Sequence, residues 1–168
     1  ASSRSQRVRR IRRRRATGCR RGRGLSSSLK NKALRLLARR EHSRAELTQK
    51  LSADGTREDI QAVLDQLEQS GLLSDARFAE SFVASRALRF GSAKLRHSLR
   101  ARGVADEVIA AALFAGAGSE TARAREVWQR KFGVSPADRS DYARQARFLQ
   151  QRGFTAEVIR KVLKDTEE

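Results

Sequence analysis

One pattern, written three times, constrains this chain more than any other feature. The segments ELTQKLSADGTREDIQAVL (46–64), KLRHSLRARGVADEVIAAAL (94–113) and QARFLQQRGFTAEVIRKVL (145–163) line up. In each, a leucine stands four residues before a glycine: Leu51 and Gly55, Leu99 and Gly103, Leu149 and Gly153. In each, an isoleucine follows, with a leucine four residues on: Ile60 and Leu64, Ile109 and Leu113, Ile159 and Leu163. The glycines lie about 48 and 50 residues apart, a period suited to a small helical repeat.

The pattern has a physical reading. A glycine just past a helix adopts the left-handed conformation cheaply and ends the helix. The residue after it then packs on the residue four before it, Val104 on Leu99 and Phe154 on Leu149, with Thr56 on Leu51 a weaker case. The helix that follows carries apolar residues at helical period, as in Ile60, Val63, Leu64 and Leu67. Each pair is preceded by a further amphipathic helix, near Lys30–Arg40, Asp75–Phe90 and Glu120–Phe132. Starts are marked by SRAE, with Ser43 as N-cap, and by SPAD, with Pro136 at the first helical position behind Ser135. No segment alternates as a strand does. The expected fold is all-α: three tandem three-helix repeats in an elongated, curved right-handed or solenoid-like array. Repeats this small are expected to bury apolar surface against one another.

The boundaries follow. Residues 1–28 read as a disordered Arg-rich arm, and the repeats as 29–74, 75–118 and 119–168. The first junction, QSGLLSDARF, is expected to clamp two helices, with Leu72 on Leu67 and Leu73 stapled to Phe78. The second, FAGAGSE, has no such pair, so the third repeat is expected to hinge.

Composition narrows the function. The net charge is +18 with one cysteine, so a polyanion or acidic protein surface is the expected partner, and no intrachain disulfide can form. Eleven arginines and no acid fall in residues 1–24. The longest apolar stretch, Val108 to Ala117, is shorter than the roughly 20 residues that span a bilayer. The chain opens on Ala1 without an initiator Met, as expected of a chain processed or cut from something longer. His42 and His97 stand outside any metal-spaced cluster, Cys19 has no partner residue nearby, and neither a Walker A motif nor G-x-G-x-x-G is present. No enzyme, metal or cofactor is expected. What remains is basic surface. Residues 76–104 hold seven basic residues against one acid, Glu80.

GLLSDARFAESFVASR followed by GSAKLRHSLRARGV resembles the signature of the bacterial RecX family, regulators of the RecA recombinase. ALRLLARREHSRAELTQKL and RFLQQRGFTAEVIRKVL resemble its N-terminal segment and C-terminal repeat. The likeness covers roughly residues 30–165. It implies tandem three-helix repeats and a cytoplasmic, non-enzymatic regulator of DNA repair and the SOS response. Such a protein lies in the groove of the RecA–DNA filament and reduces ATP hydrolysis, strand exchange and coprotease activity. It has no catalytic residues to carry over. Its groove-facing basic residues map onto Arg86, Arg89, Lys94, Arg96, Arg100 and Arg102. Arg147 and Arg152 form a similar set in the third repeat. A monomer is expected, with RecA and single- or double-stranded DNA as partners.

Two other readings compete. SRAELTQKLSADGTREDIQAVLDQLEQSGLLSD also resembles a winged-helix transcriptional regulator. That reading needs a hairpin where DARFAESFV has helical period, and its recognition helix would be acidic. The third is a non-specific nucleic-acid binder acting through the Arg-rich arm.

Overall fold

A computed structural model describes residues 21–116 and 118–164. Among them are nine helices and no strand: α1 Arg21–Leu37, α2 Arg44–Leu51, α3 Arg57–Gln69, α4 Asp75–Arg86, α5 Ser92–Arg100, α6 Asp106–Gly116, α7 Glu120–Lys131, α8 Arg139–Gln151 and α9 Ala156–Lys164. Residues 1–20 of the expected arm lie outside the described residues. Residues 21–28, assigned to the arm by composition, form the first turns of α1.

Short polar side chains start the helices. Ser43, Thr56, Ser74, Ser119 and Asp138 each accept a hydrogen bond from the amide three residues on, which satisfies one of the orphan donors of a first turn. The expectation at SPAD is corrected. Asp138 accepts from the Asp141 amide at 2.8 Å, so α8 begins at Arg139, after Pro136.

Glycine stops helices where the repeat pattern says it should, with one exception. Gly71, Gly103 and Gly153 have φ of 71°, 72° and 83°. The following amides bond back to Leu67, Leu99 and Leu149 carbonyls at 2.9, 3.3 and 3.3 Å, which is the Schellman arrangement. Gly55 is not in the left-handed region. A Cβ there would stand 2.8 Å from Leu29 Cδ1, so this glycine makes room for α1 instead of turning the chain.

The leucine pair at the first junction behaves differently from expectation. Leu72 is 49% exposed, whereas Leu73 is buried with Leu67 in the core of the first repeat; Phe78 belongs to the core of the second. The Leu72 and Leu73 amides both bond back to the Leu67 carbonyl, at 2.9 and 3.1 Å, so the chain is still turning at Leu72 and brings only Leu73 to the core.

Every extensive helix pairing lies within a repeat: α1, α2 and α3 pack together, as do α4, α5 and α6, and α7, α8 and α9. Three separate apolar cores result, centred on Leu47, Leu64 and Leu67, on Phe78, Val83 and Leu99, and on Trp128, Leu149 and Leu163. The expectation of shared apolar burial between repeats is corrected as to the cores, which stay separate. The hydrogen bonds at the joints are made by main-chain groups and carboxylates.

Candidate interaction surface

The two joints are built alike. At the first, the N-cap hydroxyl of α2, Ser43 Oγ, donates to the Arg102 carbonyl at 2.7 Å. The first amide of that helix, Arg44 N, donates to Asp75 Oδ1, on the first residue of α4, at 2.8 Å. At the second, the N-cap amide of α5, Gly91 N, donates to the Arg152 carbonyl at 2.9 Å. The first amide of that helix, Ser92 N, donates to Glu120 Oε1, on the first residue of α7, at 2.7 Å. Each joint thus feeds unsatisfied amides of a helix start into acceptors on the next repeat. The stop glycines sit against the neighbouring helix. A Cβ on Gly103 would lie 2.5 Å from Ala45 Cβ, and one on Gly153 2.4 Å from Lys94 Cβ.

The second joint has further bonds. Ala93 N donates to the Gly153 carbonyl at 3.2 Å. Buried Arg123 donates through Nη1 to the Ala87 and Phe90 carbonyls, at 2.8 and 3.1 Å. Burial holds its pKa below the usual guanidinium value. The hinge expected at the third repeat rested on the connecting segment FAGAGSE. The joint is made elsewhere, between the start of α5 and both the end of α8 and the first turns of α7, and is bonded at least as fully as the first.

A cleft opens at each joint. The first, about 210 Å³, is lined by Arg40, Arg86, Arg102 and the Phe82 ring, together with Glu41 and Glu46. Its charge is largely answered from within. Glu46 accepts from Arg40 at 3.0 Å and Arg102 at 3.2 Å, and Glu41 from Arg77 at 3.0 Å. The second, about 240 Å³, has a floor of Leu88, Val127 and Phe148 and a rim of Arg89, Arg130, Lys131 and Arg152.

The basic residues singled out by sequence therefore divide. Arg86 and Arg102 come together over Phe82, at 4.1 and 4.9 Å from the ring centroid. Arg89 and Arg152 meet at the second cleft, where Arg152 lies 3.9 Å over Phe148. Lys94 spans the second joint, with Nζ 3.4 Å from the Gln151 carbonyl and 4.7 Å from the Phe90 ring. Arg100 forms a two-pronged pair with Asp106, at 2.6 and 2.9 Å. That pair depresses the Asp106 pKa, with the nearby Arg96 charge contributing. Arg147 is exposed and bonds within its own helix to the Ala143 carbonyl. Arg40, Arg130 and Lys131 join the clefts without having been singled out. The acceptors Asp75 and Glu120 sit at the joints, not in the clefts, and in sequence they are ordinary first-turn acids.

His42 is buried, with Nδ1 3.0 Å from the Arg40 carbonyl. A carbonyl only accepts, so Nδ1 carries the proton. Burial lowers the imidazole pKa below 6.5. No group of three or more potential metal-ligating side chains occurs among the described residues. No helix there is long and apolar enough to cross a membrane.

Comparison with known proteins gives one result. The family descriptions RecX, first, second and third three-helix domain match residues 30–67, 74–113 and 119–163, in that order. The chain is 49% identical over 138 residues to Regulatory protein RecX of Leptothrix cholodnii, covering 82% of this chain and 88% of that one. It is 45% identical over 145 residues to the protein of the same name in Herminiimonas arsenicoxydans, covering 86% and 96%. The crystal structure of RecX from Lactobacillus salivarius superposes with a TM-score of 0.72 at 20% identity, over 86% of this chain and 98% of that one, a likeness of fold.

Proposed function

The chain belongs to the RecX family, and from that premise we propose that it is a regulatory protein that binds the RecA–DNA filament. On this reading it inhibits RecA's ATPase, recombinase and coprotease activities by binding, without catalysis, and works as a monomer in the cytoplasm. The observation that carries the reading is the ordered match of all three domains, together with close relatives named as regulators over most of their length. Tandem basic repeats suit a filament, because several weak contacts on one molecule reinforce each other. Arg86, Arg89, Lys94, Arg96, Arg100, Arg102, Arg147 and Arg152 are the proposed contacts to RecA or DNA. The boundaries 29–74, 75–118 and 119–168 are part of the same proposal.

The winged-helix reading loses its support. Its hairpin would have to occupy the residues that form α4. The acids of its recognition helix, Asp65 and Glu68, are engaged by Arg44 at 2.6 and 2.5 Å.

The test is RecA ATPase on single-stranded DNA, titrated with the full chain and with a chain lacking residues 1–20. Inhibition should survive the deletion, while affinity for free DNA falls steeply and loses much of its salt dependence. Absence of inhibition at micromolar protein refutes the function. Loss of inhibition on deletion assigns it to the basic segment alone.

A further inference from the structure

We propose that the cleft between the second and third repeats is a docking site for an acidic peptide segment with one apolar anchor residue. The segment's place in the regulated partner rests on the reading above; the chemistry of the cleft does not. The contrast between the two clefts motivates it. In the first, Glu41 and Glu46 face the arginines and pair with basic residues at its edge. In the second, no carboxylate lines the wall; the nearest ion pair holds Arg130 to Glu126, at 3.1 Å, outside it. Arg89, Lys131 and Arg152 are thus left to meet negative charge from another molecule.

The floor decides which kind. Leu88 is 57% exposed although it lies beside a nearly buried Val127, and an apolar side chain seated there would cover it. Single-stranded nucleic acid would instead need a free aromatic face on which to stack a base. Phe148 offers none. Arg152 covers one face at 3.9 Å, and Phe132 meets it edge-on with ring centroids 5.1 Å apart. Carboxylates on the rim with an aliphatic or aromatic anchor on the floor is the arrangement the walls complement.

The experiment uses the full chain and fluorescence anisotropy. The probe is a labelled peptide with one leucine between two runs of glutamate. A matched probe has serine in place of leucine, and oligo(dT) of similar charge is the third ligand. The leucine probe should bind at least about tenfold tighter than the serine probe, the effect of burying one aliphatic side chain. Arg89→Glu with Lys131→Glu should weaken it by at least about tenfold, Leu88→Ser should remove the preference for leucine, and Arg57→Glu on the first repeat should change nothing. All substituted side chains are exposed, so the fold is expected to persist. Equal binding of the two peptides overturns the proposal, as does tighter oligo(dT) binding abolished by the same substitutions. Probe binding without any effect on RecA ATPase supports the cleft while refuting the function. RecA inhibition without probe binding does the reverse.

Discussion

The second joint depends on a glycine that is not there for its conformation. Gly91 has φ −75°, open to any residue, yet a Cβ on it would stand 2.2 Å from the Gly153 carbonyl oxygen and 2.5 Å from Phe154 N. These are backbone atoms and cannot swing away as a side chain would. Real Cβ contacts stay above 3.0 Å, so Gly91→Ala must push the repeats apart by about 0.8 Å or more. The bonds from Gly91 N and Ala93 N, now 2.9 and 3.2 Å, then stretch beyond useful length. Two such bonds contribute about 0.5–1.5 kcal/mol each. With the overpacking strain of about 1–3 kcal/mol, the joint is destabilised by about 2–6 kcal/mol. Amide hydrogen exchange, resolved by residue, is the assay. Residues 91 and 93 should lose protection while Leu95, Leu99 and Leu149 keep theirs. Gly71→Ala is the control. It has nothing within 4 Å to meet its Cβ and strains only its own left-handed turn. Unchanged protection at 91 and 93 in folded Gly91→Ala would refute the account of the joint.

Two further outcomes follow from the same geometry. Asp75→Ala and Glu120→Ala each strand the first amide of a helix, at equivalent places in the two joints. Each should cost about 1–2 kcal/mol in urea unfolding, and a clear inequality between them would show that the joints are not alike. The buried His42 gives a pH dependence. Its folded pKa lies below the ordinary 6.5, so the unfolded chain binds more protons in the window just beneath that value. Stability is therefore full above about pH 6.5 and declines as pH falls through the depressed pKa. His42→Asn should flatten that decline in thermal melts between pH 7 and 5, and an unaltered slope would assign it to other groups.

Much of this fold was legible because its signals are local. The stops at Gly103 and Gly153, the cap at Ser43 and the apolar stripes each depend on residues within one or two turns. Gly55 shows the limit of such reading. It occupies the same place in the pattern, but it answers a steric demand from Leu29, which only tertiary packing imposes. The leucine pair shows another: sequence places a turn after Gly71 but does not say which of Leu72 and Leu73 faces inward. The clefts were the least legible part. Arg86 and Arg102 are 16 residues apart and meet only because α4 and α5 belong to one repeat. Arg123 did leave a trace. It stands four residues before Val127, on the inward stripe of α7, where an arginine calls for acceptors across an interface.

Three cores joined through hydrogen-bonded seams also bear on how such a molecule lets go. A body with one continuous core leaves a long lattice all at once or not at all. On the proposed filament a single repeat can lift while its neighbours keep their grip, since each apolar core lies within one repeat and stays closed when a seam opens. Departure then proceeds by peeling, and a competitor can take vacated ground before the rest has left. For such a protein, residence time would depend on how crowded its surroundings are, even though its affinity is fixed.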